Sequence, residues 1–389
     1  MGITKQARWR GEANVGAARL ASPPGMRAAA PISTSPPRGA RRTRCRPGRA
    51  LPLRAWLGAA VVLQSILAAP AGPPAGPQPP RRQRNAPVAT CDWRAGAHVG
   101  GYSGIIDVRT PAEFAVDHIP GALNLPVLSG PERHQVGLLY ASTHFEGRKL
   151  GAQLISANIA AVLAGHFADK PPTYCPLVYC WRGGQRSNAL AHVLSEVGFR
   201  CSVLRGGYRA FRRSVVRILA HAPAALEFRV LTGPTGSGKT ALLHHLARHG
   251  HQVLDLEALA NHRGSVLGAT GTAQPSQKAF ETSLAEALLR LRPDRPVFVE
   301  DEASFIGALH IPSSLWRALL QAPRFALETP LRLRVRHTLE HYDHLTSDPE
   351  HLSSLLEKLG RYHNAPTVRR WLRLVAEGEY TVRVLRGSV

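Results

Sequence analysis

The sequence predicts two α/β domains in tandem, each built on an open parallel sheet, followed by a helical region. Three observations carry that expectation. From Gly101 onward, short apolar runs alternate with helix-patterned segments, the mark of parallel strands joined by crossover helices. Two glycine-rich loops each stand between such a run and a helix, with Cys180 and Gly233 lying 53 positions apart. And 389 residues are enough for two ordinary cores. The expected boundaries are 99–215 and 226–330 for the two domains, with 331–389 as the helical region.

The first 95 residues differ in kind. They hold 16 Lys+Arg against only Glu12 and Asp92, and 14 of the 31 prolines. Such a stretch buries too little apolar surface to offset chain entropy, so 1–95 is expected to be a disordered basic extension. Its apolar run Trp56–Ala69 lies far from Met1 and is short for a bilayer span. A non-native extension is therefore favoured over a targeting segment, and no stable membrane partner is expected. The remaining residues hold 33 Lys+Arg and 24 Asp+Glu, a milder basic balance that suits a polyanionic partner such as RNA. Five cysteines without a CxxC pair indicate neither zinc nor a disulfide framework. One reactive thiol in a cytoplasmic chain fits them better.

In the first domain, Gly104–Arg109 reads as a buried strand ending in charge. Thr110, Pro111 and Glu113 then form a helix-start pattern with a capping box. Ala122–Pro126 is a second strand, and 132–168 is mostly helical by spacing. Pro176–Tyr179 is a buried strand that delivers Cys180-Trp181-Arg182-Gly183-Gly184-Gln185-Arg186-Ser187, and a helix follows with Leu190, Val193, Leu194 and Val197 on its apolar face. Cys201–Leu204 is the last strand, ending at Gly206-Gly207-Tyr208. A thiol between a strand end and a helix N-terminus sees backbone N–H groups and the positive end of the helix dipole. With the charges of Arg182 and Arg186, this is expected to depress the Cys180 pKa and stabilise an anionic persulfide, perselenide or thiophosphate.

In the second domain, the strand Glu227–Thr232 feeds Gly233-Pro234-Thr235-Gly236-Ser237-Gly238-Lys239-Thr240 and then a helix. That is G-x-x-x-x-G-K-[ST] in its required context: amides cradle a phosphate, Lys239 reaches a terminal oxygen, and Thr240 can ligate Mg²⁺. After the strand Pro296–Val299 come Glu300, Asp301 and Glu302. Asp301 is taken as the carboxylate that joins Thr240 at Mg²⁺. Asp255 follows the strand Gln252–Leu254 and is placed in the ligand crevice as a metal ligand, a general base or a structural cap.

The first domain resembles the rhodanese family through Ile106-Asp107-Val108-Arg109, Glu113-Phe114, His118-Ile119-Pro120-Gly121-Ala122 and Leu204-Arg205-Gly206-Gly207-Tyr208 around the cysteine. Five residues separate Cys180 from Arg186, one more than in typical sulfur-transferring rhodaneses, as in the related dual-specificity phosphatases. The wider loop suits a tetrahedral donor. Tyr179 stands where those phosphatases carry histidine, which argues against a phosphatase. The two loops together, with Glu132–Gly137, Asp255-Leu256-Glu257, His262-Arg263-Gly264-Ser265 and Glu300–Ser304, resemble the tRNA 2-selenouridine synthase family over 100–375.

That resemblance implies a tRNA bearing 2-thiouridine at the wobble position as partner. Its sulfur is first geranylated from geranyl diphosphate and then replaced by selenium from selenophosphate through a selanyl-cysteine at Cys180. The family continues beyond Val389 with a basic helical segment, so the helical region is expected to be truncated. Two alternatives stand: a generic sulfurtransferase fused to a small-molecule kinase, and an inactive RNA-binding homologue.

Overall fold

The computed structural model describes residues 88–93, 101–263, 272–341, 348–358, 360 and 363–378. The apolar run 56–69, Cys45, Gly264, Ser265 and the chain end from 379 lie outside the described residues. Among the described residues, no helix is long and apolar enough to cross a membrane.

The first domain is a five-stranded, all-parallel sheet. Its strands are β1 (Ala89–Cys91), β2 (Gly104–Asp107), β3 (Ala122–Asn124), β4 (Pro176–Tyr179) and β5 (Ser202–Leu204), in the order β1-β5-β4-β2-β3. Successive strands run outward to β3 on one side of β2, and β4 then begins the other side. The crevice at that reversal, beyond the carboxyl ends, is where such sheets bind ligands. Cys180 follows β4, the central strand, and so falls there.

β1 corrects the expectation that all of 1–95 is disordered. Ala89, Thr90 and Cys91 pair in parallel with Ser202, Val203 and Leu204, and the Arg205 N–H donates to the Cys91 carbonyl. Three residues carry no readable alternation, so only the docked edge reveals them. The stretch 132–168 is two helices, Gly130–Ser142 and His144–Gly165, hinged at the extended Thr143. They pack so closely that a Cβ on Gly147 would stand 2.5 Å from Tyr140 Cα. Val197 was expected on the apolar face of helix Gln185–Val197 but is 61% exposed; Ser187, Leu190, Ala191 and Leu194 are the buried set.

The second domain is a four-stranded parallel sheet, with β6 (Phe228–Thr232), β7 (Gln252–Leu254), β8 (Val297–Glu300) and, beyond the short hairpin β9 (Phe305–Ile306) and β10 (Leu309–His310), β11 (Arg324–Ala326). The order is β11-β6-β8-β7. β6, which feeds the phosphate loop, therefore lies directly beside β8 and its acidic end.

One hydrophobic cluster spans both domains. Phe211, Val215, Ile218 and Leu219 of helix Gly207–His221 pack with Phe280, Leu284 and Leu288 of helix Gln277–Arg290 and with Leu315 and Leu319 of helix Ser313–Gln321. Polar contacts reinforce it. Arg212 pairs with Glu281 and donates to the Lys278 carbonyl at 3.2 Å, and the Ser276 hydroxyl bonds the Val116 carbonyl. At its centre the buried Asp117 accepts from Tyr208 Oη at 2.6 Å and from Thr282 Oγ1 at 3.2 Å.

Replacing Asp117 by Ala strands two buried hydroxyls, each costing about 1–3 kcal/mol. We expect a clear drop in the urea midpoint, largely restored in Asp117→Asn, which keeps an acceptor oxygen. An unchanged midpoint for Asp117→Ala would remove this contact from the interface.

Candidate active site

The cysteine loop is built by close approach of two glycine turns. Gly183 has φ +69°, and a Cβ there would stand 2.5 Å from the Leu204 carbonyl. Gly207, at φ +54°, is tighter still, with a Cβ 2.2 Å from the Cys180 carbonyl oxygen. The turn after β5 thus lies directly against the loop, and the N–H groups of Tyr208 and Arg209 donate to the carbonyls of Cys180 and Trp181 at 2.8 and 3.1 Å. Trp181 stacks on Tyr208 at 5.2 Å between centroids.

Cys180 is 4% exposed. Its Sγ receives the Gly184 N–H at 3.2 Å and lies 3.2 Å from Ser187 Oγ. Burial pushes the thiol up. The Ser187 hydroxyl, the Ser187 N–H and the N–H groups of Gly184 and Arg182 pull the other way and prevail, holding it below the ordinary cysteine value. The thiolate that these hydrogen bonds favour is the nucleophilic form of the side chain. Cys201 shows the contrasting fate, a buried thiol donating to the Ala191 carbonyl at 3.1 Å.

Two sequence expectations change here. Arg186 does not lie on the sulfur: it pairs with Glu113 Oε2 at 3.1 Å, and Arg133 approaches the same oxygen at 3.8 Å. The leading causes of the lowered thiol pKa are hydrogen bonds from the loop, with Ser187 first, a residue the sequence alone does not single out. Arg182 is exposed at the loop's rim.

The phosphate loop is shaped by Gly233, Gly236 and Gly238 at φ +152°, +77° and +87°. Lys239 Nζ lies 2.8 Å from the Gly233 carbonyl, folded across the loop, and the buried Ser237 Oγ has no hydrogen-bond partner. The roof comes from further along the chain. Thr329 Oγ1 donates to the Ser237 carbonyl at 2.9 Å and Arg334 Nε to the Thr235 carbonyl at 3.2 Å. A Cβ on Gly236 would stand 2.4 Å from Thr338 Oγ1. Helix Leu331–His341, expected to belong to a separate helical region, therefore packs on the loop itself.

The acidic partner needs correction. Asp301, expected beside Thr240, instead accepts from Thr232 Oγ1 at 2.9 Å and pairs with Arg324 at 2.7 Å. Glu300 takes the place beside Thr240, with Thr240 Oγ1 donating to its Oε2 at 3.2 Å. A one-residue shift along a strand end exchanges the two faces. Ligand oxygens of Glu257, Glu300 and Glu302 lie within 4.8 Å of one another. Burial and the Glu302 charge push Glu300 up to about 7, against the pull of Thr240 and Lys239.

Buried Glu300 Oε1 has no hydrogen-bond partner. Hard oxygen donors crowded against their own repulsion, with one orphaned, fit a divalent cation such as Mg²⁺. Asp255 caps helix Leu256–Leu259 through the Ala258 N–H and bonds His244 Nε2 at 2.8 Å. It serves as the structural cap among its three expected roles.

A rhodanese-like domain model matches residues 94–214, and the model described as "tRNA 2-selenouridine synthase AAA domain" matches 226–362. Three curated proteins named tRNA 2-selenouridine synthase align with the chain. The one from Nitrosomonas europaea is 37% identical over 61% of this chain and 63% of its own length. Those from Sulfurovum sp. and Hahella chejuensis are each 38% identical over 61% of this chain, covering 65% and 63% of theirs. The chain thus spans somewhat under two thirds of these relatives. Fold and loops define a rhodanese domain fused to a P-loop domain. That pair of domains is what the chain shares with the tRNA 2-selenouridine synthases it aligns with.

Ser187→Ala removes the strongest hydrogen bond that favours the thiolate, so the Cys180 pKa should rise. Alkylation by iodoacetamide, followed against pH, should shift its inflection upward and slow at neutral pH. An inflection that stays in place would show that the amides alone set it.

Proposed function

We propose that this chain converts 2-thiouridine at the wobble position of tRNA into 2-selenouridine, by S-geranylation and then selenium transfer from selenophosphate through a selanyl-cysteine at Cys180. The observation that carries the reading is the hydrogen-bonded Cys180 sulfur, held low in pKa in a loop of backbone amides. The phosphate loop in the same chain supplies the second half of the chemistry.

A thiocarbonyl sulfur is a poor leaving group, and alkylation makes it a better one. The 2-thio sulfur attacks C1 of the geranyl group, the C–O bond breaks, and diphosphate departs. Lys239, Ser237 Oγ and the amides from Gly233 to Thr240 receive that diphosphate. Thr240 and Glu300, with Glu257 and Glu302 nearby, would hold Mg²⁺, which when bound neutralises charge on the diphosphate oxygens.

In the second step selenium replaces the geranylthio group at C2, which leaves as the thiol. Selenophosphate and water supply the selenium and release phosphate, so the exchange involves no net oxidation or reduction. Cys180 carries the selenium between donor and nucleoside: a disulfide-class oxidant takes up two electrons as the S–Se bond forms on loading, and two thiol equivalents return them as that bond breaks on release, so the two steps cancel. Arg182 at the rim and the N–H groups of the loop meet the anionic donor, and Arg186, neutralised by Glu113, orders the loop.

Thiolated tRNA, geranyl diphosphate and selenophosphate supplied together should yield 2-selenouridine by nucleoside mass spectrometry. Cys180→Ala should stop at the geranylated nucleoside; selenouridine formed at the wild-type rate by that variant would overturn the cysteine's role. Lys239→Ala should weaken geranyl diphosphate binding at least tenfold, the effect of losing about 1.4 kcal/mol of charge-assisted contact. Unchanged binding would separate the phosphate loop from the prenyl donor.

A further inference from the structure

Helix Gly207–His221 has three faces, and the activity so far uses two. Tyr208, Phe211, Val215, Ile218 and Leu219 enter the shared core. Arg212 turns to the second domain and pairs with Glu281. The third face is a row of exposed arginines, Arg209, Arg213 and Arg217, spaced four residues apart. Such spacing keeps them on one side of the helix, about 6 Å apart along its axis.

Several exposed arginines elsewhere have carboxylate partners: Arg205 with Asp92, Arg290 with Glu286 and Arg292 with Asp294. Among the described residues, none of the three in the row has one. Three like charges in line repel one another, a cost that an anionic partner relieves. A solvated face would gain from interleaved acids, and this one has none.

The row also has a destination. The Arg209 N–H donates to the Trp181 carbonyl inside the cysteine loop at 3.1 Å. The Arg213 guanidinium reaches back over the turn that underlies the loop, with Nη2 3.5 Å from the point where a Gly206 Cβ would stand. Arg182 is exposed on the loop itself. A continuous basic track about 12 Å long between Arg209 and Arg217 thus begins beside Cys180 and leads toward the domain junction.

We propose that Arg209, Arg213 and Arg217 form a phosphate track that holds the sugar–phosphate backbone of the tRNA while its modified base reaches Cys180. This rests on the tRNA reading given above and adds where the strand lies. Guanidinium groups bind phosphate oxygens in bidentate fashion, and such contacts set register without reading sequence. Evenly spaced single charges along a straight element match a polymer of evenly spaced monoanions better than a folded acidic protein surface.

The test measures binding of thiolated tRNA by the full chain across a salt series, in wild type and in the triple variant Arg209→Ala, Arg213→Ala, Arg217→Ala. Each lost phosphate contact removes about 0.7 from the slope of log affinity against log salt. The triple variant should therefore show a slope shallower by about 2 and roughly 100-fold weaker binding near 0.1 M salt. A control triple, Arg148→Ala, Arg200→Ala and Arg248→Ala, removes equal exposed charge elsewhere and should keep the wild-type slope. Cys180 alkylation in the row variant should remain at the wild-type rate, which reports an intact loop.

A row variant with wild-type slope, or a control that loses as much, would overturn the track while leaving tRNA as substrate. Wild-type protein that fails to bind thiolated tRNA would sink the tRNA reading first and the track with it.

Discussion

A single buried cation organises this molecule. Arg109 is 1% exposed at the carboxyl end of β2. Removing a guanidinium from water costs several kcal/mol, and the cost is met only by near-complete partnering. Asp107, also buried, takes the side chain through both carboxylate oxygens, at 2.9 and 2.6 Å from Nε and Nη2 to Oδ2 and 3.1 Å from Nε to Oδ1. Nη2 also donates to the Asp117 carbonyl at 2.7 Å, and the guanidinium lies over the Tyr208 ring at 4.1 Å.

From this one group the contacts fan out in two directions. Tyr208, fixed beneath Arg109, stacks on Trp181 of the cysteine loop. Its hydroxyl bonds Asp117, which in turn accepts from Thr282 in the second domain. Asp107 without the arginine, or the arginine without Asp107, would leave an unpaired charge in the interior, and losing the arginine would also strand the Asp117 carbonyl, so the set stands or falls together.

The two anion loops solve similar problems by different electrostatics. Around Cys180 the hydrogen-bond stabilisation is local and neutral, from amide N–H groups and one hydroxyl, while Arg186 is neutralised by Glu113. A full positive charge on the sulfur would hold the thiolate more tightly and make it a poorer nucleophile. Dipoles lower the pKa and leave the lone pair available. At the phosphate loop the stabilisation is ionic. Lys239 stands over the amides, and a carboxylate cluster on the adjacent strand provides the countercharge for a cation. A thiolate carries one charge, whereas the phosphates a P-loop binds carry several.

Much of this was legible in the sequence where local chemistry is decisive. The capping box at Thr110 and Glu113, the strand Pro176–Tyr179 and the strand–loop–helix of Gly233–Thr240 appear where the residues place them, because each depends on near neighbours. The failures share another cause. Which of Glu300 and Asp301 faces Thr240 depends on the end point of β8, where one residue reverses the direction of every side chain. Ser187 acquires its role from a helical turn that brings it back to Sγ. Gly207 is required only by a contact with Cys180, from which it is 27 positions removed. Helix Leu331–His341 carries a helical pattern but no sign of what it covers.

The cysteines make the underlying distinction concrete. Cys180 and Cys201 are both buried, at 4% and 3% exposure, and both adjoin strands of the same sheet, so burial alone does not separate a nucleophile from a core thiol. The hydrogen-bond direction separates them. Sγ of Cys201 gives its hydrogen to a carbonyl, which favours the protonated form. Sγ of Cys180 accepts from an amide, which favours the anion. A strand leading into a glycine turn and a helix start presents N–H groups to the first residue after it. A strand entered from a helix C-terminal loop has carbonyls nearby, and there the same side chain becomes a donor. Reactivity here follows from where along the βαβ unit the thiol sits.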